Sequence, residues 1–192
     1  MAESIDICNQ AISLVGGGHI TSVNDGTNEA RQCKVHYGPA LRKILSERWW
    51  TFATVRTELA QSADVPTTKY AFAYPIPFDC LKIQFATGED GLQFEDWVLE
   101  DGKILCNKER CFVTYTKCEQ DAAKYPGPFE SAFVHLLASR IAVGIAQSRG
   151  LRDEMYNIFM VELRDASPLD GRQQSSQYIG RRASRLVNAR RR

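Results

Sequence analysis

The chain has 192 residues, 44% of them hydrophobic and 24% charged, with a formal net charge of +1. A chain of that length folds as one domain with room for an insertion and buries roughly 70% of its unfolded surface, so neither a disulfide nor a metal staple is required. The near-neutral total hides a segregation: no acid follows Asp170, while seven arginines do, which leaves residues 1–170 with 17 basic against 23 acidic residues, about −6 net. An acidic body with a basic tail says more about partners than the total does.

In chain order, a first helix is expected from Ile5 to Val15. Ser4 serves as its N-cap, and Ile5, Cys8, Ala11, Ile12 and Val15 form its apolar stripe. Gly16, Gly17 and Gly18 stop it. The run GGGHITS lacks the lysine and spacing of a phosphate-binding loop. Residues 28–53, NEARQCKVHYGPALRKILSERWWTFA, read as a long amphipathic helix ending in a tryptophan pair. Ala30, Cys33, Tyr37, Ala40 and Ile44 recur at three-then-four spacing, and Leu41 and Leu45 widen the stripe. Gly38-Pro39 predicts a kink or a break, because proline removes a backbone donor and clashes with the preceding turn. Trp49, Trp50 and Phe52 then form an apolar surface where the helix must meet another element, an architectural junction rather than a ligand site.

From Pro66 to about Glu119 the period changes to that of strands. Pro75 and Pro77 confine their segment to an edge or an extended lead-in. WVLE and KILC flank Asp101-Gly102, a two-residue hairpin signal, and CFVTYTKC is a further strand. Helices resume at Pro128 and run to about Ser148, apolar on most sides, with Phe129, Phe133, Leu136, Leu137, Ile141 and Ile145 on one face. This is the expected central helix. A last helix spans Leu151 to Ala166 through Leu151, Met155, Ile158, Phe159 and Leu163. The expected architecture is α+β and mainly α: a four-helix bundle from residues 1–60 and 121–166, a small antiparallel β unit inserted at 61–120, and an extended Arg-rich arm over 167–192.

The chemistry-bearing residues point away from catalysis. The histidines are His19, His36 and His135, and a Ser131–His135 pair one helical turn apart lacks an orienting group and an oxyanion site. Asp79-Cys80 has no base beside it. The six cysteines contain no CxxC pair, and Cys106, Cys111 and Cys118 lack zinc spacing, so no metal or cofactor is expected. MAESIDICNQ has no basic region of a signal peptide, and Glu130, His135 and Arg140 interrupt the apolar run from Phe129 to Ala146. A buried helix in a cytosolic protein is expected, with no membrane partner.

ICNQAISLVG, ITSVNDGTNEARQC, VHYGPALRKILSERWWTFAT, YAFAYPIPFDCLKI and FESAFVHLLASRIAVGIAQ, in that order and spacing, resemble the tail tubular protein A-like family of phage head-to-tail adaptors, or connectors. The resemblance covers most of residues 5–166. It implies a non-enzymatic structural protein of the virion, made in the host bacterial cytoplasm. Such a protein forms a ring, commonly a dodecamer, beneath the portal and continues the DNA channel toward the tail. Its partners would be the portal protein, further copies of itself, a tail nozzle or tail-completion protein, and genomic DNA passing without sequence-specific contact. In such adaptors the C-terminal arm often reaches the portal.

Physics is compatible with that arm. Arg172, Arg181, Arg182, Arg185, Arg190, Arg191 and Arg192 can make forked contacts to carboxylates, and Tyr178, Ile179, Leu186 and Val187 are anchors for docking on a portal or a neighbouring subunit. The competing expectation is a nucleic-acid-binding protein using the same arginines on phosphates. Against it, the acidic body offers no companion basic face and no standard binding motif.

Overall fold

The computed structural model describes residues 4–63, 66 and 69–171, and shows a mixed α/β chain of four helices and two antiparallel sheets. Helix α1 spans Ser4–Leu14 among the described residues, so Ser4 lies within the helix and is not its cap. It buries Ile7, Cys8, Ala11 and Ile12. Its end is a Schellman closure: the Gly16 N–H donates to Ser13 O (3.1 Å) and the Gly17 N–H to Ile12 O (3.0 Å). Gly16 takes the left-handed φ of 74° that this closure requires, and a glycine adopts it without steric cost. The connector that follows is held by Asn9, whose amide donates to Ile20 O and accepts from Ile20 N, both at 2.9 Å.

Helix α2 spans Asn28–Glu47, with Thr27 capping it by accepting from the Ala30 N–H at 3.2 Å. The expected stripe is its buried face: Ala30, Cys33, Ala40, Leu41, Ile44 and Leu45. Of the kink or break expected at Gly38-Pro39, the break does not occur: the helix runs on through Pro39. Pro39 and Val35 are both exposed, so the carbonyl deprived of its donor lies on the solvent side, where water replaces the lost bond. The helix also stops at Glu47, before the tryptophans, because Arg48 is extended (φ −133°) and turns the chain back. A short 3-10 turn, Thr51–Ala53, then leads directly into a strand.

The strands are β1 Thr54–Leu59, β2 Phe72–Pro75, β3 Cys80–Thr87, β4 Gln93–Phe94, β5 Trp97–Glu100, β6 Lys103–Cys106 and β7 Cys111–Lys117. The β part therefore begins at Thr54, inside the segment assigned from sequence to the helices. β1 pairs with β7 along its whole length, which ties the entry of the insertion to its exit. One sheet has the order β1-β7-β3-β4 and the other β2-β6-β5. They share a core of Leu59, Tyr74, Ala86, Ile104, Cys106, Cys111, Val113 and Tyr115. Pro75 ends an edge strand, where its missing N–H costs no ladder bond. The β5–β6 hairpin turns at Asp101 (φ 46°) and Gly102 (φ 68°), the two positive angles of a type I′ turn.

Helix α3, Gly127–Ala146, has Pro128 in its first turn and packs against α1, α2 and α4. It is the only described helix long and apolar enough to cross a membrane (mean hydropathy 1.4), and its Phe129, Phe133, Leu136, Leu137 and Ile141 are buried in the core. Helix α4 spans Arg149–Gly171, with Ser148 Oγ accepting from the Leu151 N–H at 3.2 Å. It continues past Ser167, where the arm was expected to start. Met155, Phe159, Leu163 and Ala166 are its buried residues. Each large side chain sequestered this way contributes about 1.5–3 kcal/mol, so the helical core is the main store of stability.

Candidate functional site

At the junction between helices and sheets the three expected aromatics separate into two roles. Trp50 is 2% exposed, and its indole N–H donates to Ile44 O at 3.0 Å. That carbonyl belongs to the last turn of α2, where no helical donor reaches it, so the tryptophan closes the helix it follows. The Trp50 ring meets Phe129 edge-on at 4.9 Å, and Phe52 meets Phe129 at 4.8 Å and Tyr125 at 5.7 Å. Trp49 is 41% exposed and lies against the β unit, with Lys82 Nζ of β3 above its ring at 4.1 Å. Trp50 and Phe52 thus hold the helical side of the junction, and Trp49 reaches the sheet.

Sequence reading omitted Tyr125 from this cluster. The available signal was Tyr125-Pro126-Gly127-Pro128-Phe129, an aromatic on each side of a helix start. Tyr125 donates its hydroxyl to Glu119 O at 2.9 Å, and burial raises its pKa. Glu119 itself is 8% exposed. Burial pushes its carboxyl up, but Lys124 Nζ at 2.9 Å, the Asp121 N–H at 3.1 Å and Lys117 more than offset this and leave the pKa lowered. A paired buried carboxylate therefore stands where β7 returns to the helices.

A groove of about 710 Å³ runs between α1 and α3, lined by Asp6, Asn9, Gln10, Glu130, Ser131 and His135 among others. Beside it, α4 supplies the orienting acid that the Ser131–His135 pair lacks in sequence. Glu162 Oε1 accepts from Ser131 Oγ at 2.6 Å, and Glu162 Oε2 lies 2.8 Å from His135 Nδ1. Nδ1 also faces Ser131 O at 3.1 Å. Both neighbours of Nδ1 are acceptors, so the ring proton resides there. The serine hydroxyl is held by the carboxylate and not by the imidazole, so no relay from hydroxyl to base is formed. The trio acts as a clip between α3 and α4.

The stretch that carries β4 and β5 is acidic. Glu89, Asp90, Glu95, Asp96, Glu100 and Asp101 fall in a stretch without a lysine or arginine between Lys82 and Lys103. Arg110 bonds Glu58 (2.8 Å) and Glu89 (3.0 Å), and Lys69 lies 3.5 Å from Asp96. The same stretch exposes Leu92 (50%), Val98 (37%) and Leu99 (49%).

The arginine arm from Arg172 to Arg192, with Tyr178, Ile179, Leu186 and Val187, lies outside the described residues. Among the described residues no group of three or more His, Cys, Asp or Glu is placed to hold a metal ion. The described cysteines are free thiols. Cys106 and Cys111 are neighbours in the β core, and their mutual hydrogen bond lowers Cys106 to about 7 and raises Cys111. In comparison with known proteins, no family model and no curated protein matches the sequence.

Proposed function

We propose that this chain is a structural head-to-tail adaptor of a tailed bacteriophage. In this reading the protein is mainly α, its helices form a four-helix bundle, and twelve copies make a ring beneath the portal. The ring continues the DNA channel and joins head to tail. The observation that carries the reading is the order of parts: a long helix closed by Trp50, a β excursion from Thr54 to Lys117 whose ends are zipped together, then a central apolar helix and a closing helix. Such a layout lets one rigid helical body pack against copies of itself while the excursion reaches a second partner. A net-acidic body also suits a conduit, because a weakly repulsive wall lets DNA slide.

The chain carries out no reaction in this role, uses no cofactor, and works in the virion. The Ser131–Glu162–His135 arrangement supports the non-enzymatic reading, since the hydroxyl is engaged by a carboxylate. Mass photometry of the protein with and without a portal ring tests the proposal. Portal-dependent growth to a ring-sized species is expected. A mass that stays monomeric beside the portal contradicts it, and tight salt-sensitive DNA binding lost on deleting residues 172–192 would favour the nucleic-acid reading instead.

A further inference from the structure

We infer that residues 172–192 of one copy dock on the acidic β5 edge of a second copy, adding a strand beside β5; the second-copy assignment rests on the ring reading above. β5 is an edge strand, paired only with β6 among the described residues. In an antiparallel ladder half of an edge strand's N–H and C=O groups point away from its partner and are open to a further strand. Edges of this kind are commonly blunted by lysine or proline, as Pro75 does on the opposite edge of the same sheet. Trp97-Val98-Leu99-Glu100 carries neither.

The chemistry around that edge selects its occupant. Val98 and Leu99 are exposed beside the exposed acids Glu95, Glu100 and Asp101. A fitting strand is therefore basic with apolar side chains interspersed. Tyr178-Ile179-Gly180-Arg181-Arg182-Ala183-Ser184-Arg185-Leu186-Val187 has that composition, in a segment without a single acid. Backbone pairing gives such an addition its affinity, and the side chains give it selectivity. Phosphates would be repelled from this face, so a nucleic acid does not compete for it.

Length permits the contact. The 21 residues after Gly171 reach at most about 70 Å when extended at ~3.3 Å each. An arm of one copy on the sheet edge of the next is a heterologous contact, which closes into a ring when the rotation allows. Ordering the arm costs on the order of 1–2 kcal/mol per residue, which strand pairing and charge contacts offset only on a complementary edge.

The test uses the full-length chain with photoreactive benzoylphenylalanine replacing Tyr178, mixed from isotopically light and heavy preparations. Crosslinked peptides are mapped by mass spectrometry. The expected products join position 178 to residues 88–102 of the other isotope. Their yield should fall about tenfold in 1 M salt, where the Debye length is ~3 Å. It should fall similarly in Glu95→Gln/Glu100→Gln/Asp101→Asn, all exposed positions whose change leaves the core intact. A charge swap keeps the result readable: Arg181→Glu/Arg182→Glu should abolish the product, and adding Glu95→Lys/Glu100→Lys should restore it. Crosslinks to the helices, crosslinks only within one chain, no crosslinks, or indifference to the swap would each overturn the inference. Particle mass separates the two readings: rings without the 88–102 product reject this docking alone, and the interchain product without rings rejects the ring alone.

Discussion

At Trp50 the indole donates to Ile44 O and the ring packs edge-on against Phe129, whereas Trp49 stands 41% exposed beneath Lys82. Trp50→Ala should therefore cost about 3–5 kcal/mol in denaturant unfolding, the range for a large aromatic removed from a core. Trp49→Ala should cost under about 1 kcal/mol, the scale of an exposed cation–π contact. Glu119 makes a pH-dependent contribution. Its folded pKa lies below its ordinary 4.5, so its stabilisation is complete above that value and is lost as pH falls through the folded value. Thermal melts between about pH 5 and pH 3 should show a shallower loss of Tm in Glu119→Gln than in the parent chain. An equal slope in both would place the acid sensitivity elsewhere.

At the scale of elements, hydrophobic spacing and turn chemistry were readable without the structure. The α2 stripe matches the buried face residue for residue apart from the half-buried Tyr37, and Asp101-Gly102 turns the hairpin as expected. Gly102→Ala should cost about 1–2 kcal/mol, because an L-residue must then hold φ 68°. Equilibrium unfolding checks this, and Asp101→Asn at the neighbouring position, where asparagine tolerates a positive φ, should be close to neutral. Boundaries were less readable, since long-range pairing decides them. Nothing local in Thr54–Leu59 announces that Cys111–Lys117 will pair with it, and the extended Arg48 that ends α2 is stabilised by Trp50 folding back onto Ile44. Pro39 does not break the helix for a related reason: the cost of a proline inside a helix depends on whether the orphaned carbonyl meets water.

Across the whole molecule, the aromatic junction could be anticipated, but its division could not. Period alone does not tell which of two adjacent tryptophans turns inward. Glu162 was invisible as a partner of Ser131 and His135 because it belongs to a different helix. The acidic β edge and the acid-free arm are both plain in the amino-acid order, yet only the sheet topology shows that β5 is an edge strand among the described residues. Deleting residues 172–192 should leave the melting temperature within about 2 °C, since the described helices and sheets lie within residues 4–171, while weakening attachment of the ring to the portal by loosening its copies from one another. Retained attachment after the deletion would show that the arm is not needed to hold the ring on the portal. The adaptor reading itself is decided by electron microscopy of the full-length protein mixed with a portal ring: it predicts a second, coaxial ring stacked on the portal with a continuous central channel, and portal rings that remain bare beside monomeric protein would contradict it.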